Sequence, residues 1–137
     1  MGTLVTGQYQ GQKRFSVTHD DSGVSFFTDA PKDNNGLGTS FSPTDLVGTA
    51  LATCILTTIA IVADRDGLSM DGMRFKVVKE MTADKPRKIG SLNLELFLPA
   101  TIPESERARL EAFAKSCPVH RALNPDVSVQ ISFSYTA

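Results

Sequence analysis

The stretch SPTDLVGTALATCILTTIAIVA, from Ser42 to Ala63, decides how this chain folds. It opens with the residues of a helix start: a serine at the N-cap, Pro43 at the first helical position, where no N–H is needed, and Asp45 three residues after the cap. From residue 46 to residue 63 no charged residue occurs. The pattern therefore predicts a long helix that is apolar on every side and must be covered on every side.

A membrane span is the first alternative for so apolar a helix. The run is at the short limit for crossing a bilayer, and it contains Gly48 and four threonines between residues 46 and 63. It lacks basic flanks and an aromatic belt. Gly67 follows shortly after and supplies a C-terminal stop. We therefore expect a buried core helix and no membrane partner.

Length and charge limit the class of protein. At 137 residues the sequence predicts a single domain, 1–137, with a core large enough to fold without metal or disulfide. A net charge of −1 gives no indication of a nucleic-acid surface. The opening residues, MGTLVTGQYQ, have no apolar signal core, so we expect a cytoplasmic protein. Its two cysteines then indicate reduced thiols or redox chemistry.

The other segments show clearer periodicity. Residues 3–28 read as short strands, and residues 29–41 as a loop that leads into the central helix. Residues 73–98 alternate like an antiparallel hairpin, Thr101 marks the start of a second helix with an apolar stripe ending at Cys117, and residues 127–135 alternate like a final strand. This order predicts an α+β fold with antiparallel sheets around the long buried central helix.

The two thiols are the candidates for chemistry, since Cys54 lies mid-helix and Cys117 ends the stripe. A lone buried cysteine is most often a packing residue. Cys117 differs because Pro118 follows it. A new helical turn there would place its sulfur beside free N–H groups that favour the thiolate.

Other site types find less support in the sequence. Cys117 and His120 are half of a zinc site that Cys54 and His19 would complete, but nothing in the spacing brings the four together. A Cys-His hydrolase built from Cys54 and His120 lacks a third orienting group. Gly36-x-Gly38 does not follow the dinucleotide fingerprint. We therefore expect no metal and no cofactor.

Two motifs carry a family resemblance. SPTDLVGTALATC and, some sixty residues later, SCPVHRAL resemble the two cysteine motifs of the OsmC/Ohr family, the osmotically inducible and organic-hydroperoxide-resistance proteins. The resemblance covers nearly the whole chain. It implies an α+β fold built as an intertwined homodimer, with thiol peroxidase activity on organic hydroperoxides. By motif, Cys54 is similar to the peroxidatic cysteine and Cys117 to the resolving one, and a dithiol of lipoyl type would reopen their disulfide.

The chain departs from the family pattern at two points. The family's glutamate directly follows the proline, where this chain has Thr44, and Asp45 would lie about 180° from Cys54 on a continuous helix. The family also holds its thiolate with an arginine, and Arg14 is the only arginine upstream of the helix. We therefore predict that Arg14 approaches Cys54, with Lys32 and Arg121 as the alternative cations.

A second function stays open from the sequence. The apolar surroundings of the central helix would also suit a small lipophilic ligand, with the thiols structural or redox-sensing. Saturable binding that survives Cys54→Ser would favour this binding protein, and turnover abolished by Cys54→Ser would favour the enzyme.

Overall fold

The computed structural model of the protein describes residues 2–137. They form two compact units, one reaching Leu46 and the other running from Val47 to Ala137. The long predicted helix is present as α1 (Pro43–Arg65), and its first turn belongs to the first unit.

The first unit contains a three-stranded antiparallel sheet in the order β1 (Val5–Gly11), β2 (Arg14–His19) and β3 (Ser25–Asp29). A tight turn joins the first two strands, with Gln12 and Lys13 at φ 54° and 62°, the left-handed region that primed hairpin turns use. A short 3₁₀ turn (Lys32–Asn34) lies in the loop that follows the sheet.

One face of this first sheet is apolar and exposed. The register places Tyr9 opposite Phe15 and Val17 opposite Phe26, and directly opposed side chains share a face. Tyr9 keeps 56% of its surface exposed and Phe15 46%. So large an apolar face left open to solvent is typical of an interaction surface.

The second unit is built on another three-stranded sheet, ordered β4 (Arg74–Met81), β5 (Ile89–Leu98) and β6 (Ser128–Tyr135). β4 and β5 pair antiparallel, as the alternating pattern predicted. β5 and β6 pair parallel, so the prediction of purely antiparallel sheets is wrong. Alternation shows which side chains share a face, but the direction of β6 depends on the crossover through α2 (Glu104–Ala112) and α3 (Pro118–Ala122).

The core of the second unit lies between α1 and the sheet. Leu51, Ile55 and Ile59 on the helix are fully buried, and they share one cluster with the alternating leucines of β5. At Gly48 a Cβ atom would come within 3.2 Å of Val77, so the missing side chain permits close approach of helix and sheet.

The opposite side of α1 is not covered by the described residues of the second unit. Thr53 and Thr57 are exposed, and Ile61 keeps 51% of its surface open. Within the second unit α1 is therefore covered on one side, and its burial on every side stays a prediction that depends on a second copy of the chain. By length and composition α1 could cross a membrane, a test that core helices of soluble proteins also pass.

The second predicted helix is broken into pieces. α2 begins after Pro103, not at Thr101, and it ends at Ala112, where a 3₁₀ turn (Phe113–Lys115) takes over. Cys117 has extended backbone angles, φ −67° and ψ 142°, because the residue before a proline is disfavoured in the helical region. The prediction that Cys117 lies on the helix with the apolar stripe is therefore wrong.

Candidate functional site

Cys54 lies near the middle of α1, at the border between its two sides. Leu51 and Ile55 mark the buried side, and Thr53 and Thr57 mark the exposed side. The thiol packs against the core cluster while the residue stays partly exposed. Part of the Cys54 residue is therefore open to solvent.

Cys117 has a different environment, because it is fully buried and forms the N-cap of α3. Its Sγ accepts a hydrogen bond from the main-chain N–H of His120 at 3.3 Å. The sequence anticipated this turn from Pro118, which suits the first position of a helix. The proline thus favours the extended backbone of Cys117 and places the sulfur at the His120 N–H.

The two cysteines are neighbours in the second unit, where Cys54 packs against the core cluster that contains Cys117 and its sulfur influences the pKa of Cys117. Burial raises the pKa of Cys117, the neighbouring Cys54 sulfur raises it further, and the His120 N–H partly offsets both. Both residues are free thiols. The arrangement therefore pairs a partly exposed cysteine with a buried one beside it.

Arg14 lies in the first unit, in a network centred on a buried carboxylate. Its Nε and Nη2 donate to the two oxygens of Asp29 at 2.7 and 2.9 Å, and Nη2 also donates to Thr39 Oγ1 at 2.6 Å. The Arg14 guanidinium lies 5.0 Å from the ring centroid of Phe27. This bidentate pair explains how the charge of Asp29 is tolerated in the interior.

The Asp29 carboxylate is fully buried and strongly bound. The Arg14 hydrogen bonds, followed by those from Thr39, hold its pKa well below the usual range of a carboxyl group. Both the N–H and the hydroxyl of Thr39 donate to Asp29 Oδ2, at 3.0 and 2.7 Å. Sequence reasoning missed Asp29 and Thr39, since nothing local distinguishes a buried aspartate at a strand end from an exposed one. The approach of Arg14 to Cys54 stays a prediction.

Asp45 has the capping role that its position predicted. The Ser42 N–H donates to Asp45 Oδ2 at 2.9 Å, and the Asp45 N–H donates to Ser42 Oγ at 3.1 Å. The two residues form a reciprocal capping box at the start of α1. The Thr44 hydroxyl lies 3.2 Å from Ser42 Oγ, so it also contributes to the cap.

The zinc alternative has no support in the described part of the chain. Among residues 2–137 no group of three or more His, Cys, Asp or Glu residues is arranged to hold a metal ion. His19 instead has its Nδ1 2.7 Å from the Ser22 hydroxyl, in the turn after β2.

Comparison with known proteins places the chain among relatives. Residues 36–132 match the family model described as OsmC-like protein. One relative is known from a crystal structure from Psychrobacter arcticus 273-4, named as a candidate osmotic-stress-induced and detoxification-response protein. Its sequence is 34% identical to this chain. The alignment covers 97% of each chain, with a TM-score of 0.90. No curated protein matches the sequence.

More distant structures share the fold. An organic hydroperoxide resistance protein OsmC from Legionella pneumophila is 21% identical, with 98% of this chain and 97% of that chain covered and a TM-score of 0.76. A structure from Vibrio cholerae, of a candidate organic hydroperoxide resistance protein with captopril bound in one of its active sites, is 23% identical. It covers 100% of this chain and 94% of its own, with a TM-score of 0.74.

Proposed function

Since the chain belongs to the OsmC-like protein family, we propose that it is a thiol-dependent peroxidase that reduces organic hydroperoxides through Cys54 and Cys117. One observation carries the proposal: the buried Cys117 and the partly exposed Cys54 are neighbours in one core cluster, and the Cys54 sulfur is close enough to raise the pKa of Cys117. The peroxide would react with Cys54, and Cys117 lies beside it.

The chemistry takes two steps. The Cys54 thiolate attacks one oxygen of the hydroperoxide, the O–O bond breaks, and the alkoxide takes a proton to leave as an alcohol. Cys54 is now a sulfenic acid. The Cys117 sulfur attacks it, hydroxide departs with the Cys117 proton as water, and a disulfide forms.

The surroundings of the site favour an organic substrate. The core cluster around Cys54 is apolar. Burial of an alkyl group against apolar residues is favourable by about 25 cal/mol of free energy per Å² of apolar surface. Hydrogen peroxide has no such group. A dithiol, with one of lipoyl type as our first choice, would return the disulfide to two thiols. We expect the protein to act in the cytoplasm, where thiols are kept reduced.

We also propose that the protein is an intertwined homodimer. Two surfaces support this: the apolar face of the first sheet, and the open side of α1. Beside that side of α1, a groove of about 570 Å³ runs between Thr57 and Ile61 on the helix and Met73 and Phe75 at the start of β4. A second copy that covers both surfaces would bury more than about 2,000 Å² in total. It would also bring Arg14 of one copy towards Cys54 of the other.

The test is reduction of tert-butyl hydroperoxide with a dithiol as electron donor. Wild type should turn over, faster than with hydrogen peroxide, and Cys54→Ser should be inactive. The matched variant Cys117→Ser should still form a sulfenic acid on Cys54 that a dimedone-type probe traps, without the disulfide. Turnover retained by Cys54→Ser would contradict the proposal. Absence of turnover in wild type with any dithiol would favour the lipophilic-ligand-binding protein.

A further inference from the structure

The two sulfurs of the site differ in how a thiol can approach them. Cys117 is fully buried, whereas Cys54 is partly exposed. Thiol–disulfide exchange requires the attacking thiolate to reach one particular sulfur of the bond, and the other sulfur departs. In a Cys54–Cys117 disulfide, only the Cys54 sulfur would therefore be open to a reagent from solvent.

The buried sulfur has a main-chain donor that suits a departing thiolate. The N–H of His120 donates to Cys117 Sγ at 3.3 Å, and Cys117 forms the N-cap of α3. A hydrogen bond to the charged form stabilises that form. Because the donor belongs to the backbone, it is in place before the bond breaks.

Burial opposes the departure of Cys117 as a thiolate. Burial raises the pKa of Cys117, and a thiol with a higher pKa is a poorer leaving group. A raised pKa of Cys117 only slows its departure, however. A sulfur without exposed surface cannot be attacked at all unless the fold opens. In addition, Cys54 itself raises the pKa of Cys117, and that contribution ends once Cys54 carries a neutral mixed disulfide.

We propose that the reductant attacks the Cys54 sulfur, and that Cys117 is released as a thiolate onto the main-chain N–H of His120. This inference rests on the disulfide of the proposed function. The reductant thiolate bonds to Cys54 Sγ, the Cys54–Cys117 bond breaks, and its electron pair goes to Cys117. The second thiol of the reductant then attacks the first reductant sulfur, releasing Cys54. The reductant departs as a cyclic disulfide, and its two protons end on the two cysteines.

A monothiol stops the reaction at its first step and marks the sulfur attacked. The full-length protein is oxidised with diamide, treated briefly with 2-mercaptoethanol, and quenched with N-ethylmaleimide in guanidinium chloride, which opens the fold so that the maleimide reaches Cys117. Trypsin separates the two sites, because Cys54 lies in the peptide 33–65 and Cys117 in the peptide 116–121. Mass spectrometry should find mercaptoethanol on Cys54 and maleimide on Cys117, with a preference of about tenfold or more.

The same disulfide in denaturing guanidinium chloride is the control. There both sulfurs are exposed, so the adduct should divide between the two peptides. An adduct mainly on Cys117, or an equal division in the folded protein, would overturn the inference, and so would failure of diamide to form the disulfide. If diamide forms it and Cys54 receives the adduct while no hydroperoxide is reduced, the inference stands and the peroxidase proposal fails.

Discussion

Cys117 and Cys54 form a neighbouring pair of thiols in which one residue is fully buried and the other is partly exposed. Each environment has a local cause. Cys54 lies at the border between the buried and open sides of α1, and Pro118 favours the extended conformation of Cys117 at the capping position of α3. This difference in exposure gives the two cysteines different roles. Cys54 would react with reagents from solvent, and Cys117 would react with Cys54 in the interior.

Replacement of Cys54 should change the acidity of Cys117. The neighbouring Cys54 sulfur raises the pKa of Cys117, so Cys54→Ser should lower that pKa. The value should stay above that of a free thiol, since burial is the largest cause and remains. Thiolate absorbance in the ultraviolet, followed against pH, measures this. Ser116→Ala, which retains both cysteines, is the control, and an unchanged pKa in Cys54→Ser would contradict the assignment.

Asp29 should contribute stability that depends on pH. Its pKa is lowered in the folded state, so its contribution is present above about pH 4 and is lost as the pH falls below that value. Asp29→Asn should therefore lower the urea midpoint at pH 7, and the gap to wild type should narrow as the pH falls. Asp21→Asn, in the exposed turn after β2, should leave the midpoint nearly unchanged. A gap that is constant from pH 7 to acid would refute this role.

Arg14 is the residue whose role is most open to test. If Arg14 from a second copy holds the Cys54 thiolate and a peroxide oxygen, Arg14→Ala should slow hydroperoxide reduction by about a hundredfold. Arg14→Lys should restore little of it, because an ammonium group lacks the planar fork. The alkylation rate of Cys54 should fall in parallel. Lys32→Ala, in the same unit, is the comparison, and an alkylation rate unchanged by Arg14→Ala would exclude the arginine.

A charge on the open side of α1 should break the proposed dimer. Ile61→Glu would bury an unpaired carboxylate in the interface, so light scattering at micromolar protein should shift from dimer to monomer. Val78→Glu is the matched variant, because Val78 is also exposed but borders a groove lined by the polar residues Lys76, Glu95 and Gln130. It should leave the mass unchanged. A folded wild-type monomer under the same conditions would rule out the dimer.

The sequence by itself determined the local elements. Ser42 and Asp45 cap α1 through contacts three residues apart, and a hydrogen bond that short in sequence can be read from residue types. Period-two alternation likewise placed β4, β5 and β6, because successive side chains of a strand point to opposite faces. The proline after Cys117 predicted the new turn for the same reason, since its effect is confined to its neighbours.

Tertiary structure alone decided the relations between distant segments. The parallel pairing of β6 with β5 and the burial of Asp29 beside Arg14 join residues far apart in the chain. The pairing of Cys117 with Cys54 does so too, and the sequence indicated it only through the resemblance of the two motifs to a known family. Periodicity shows which face of an element is apolar, but it does not show which other element covers that face or in which direction a strand runs. Those choices follow from the packing of the whole core, where many weak contacts are satisfied together.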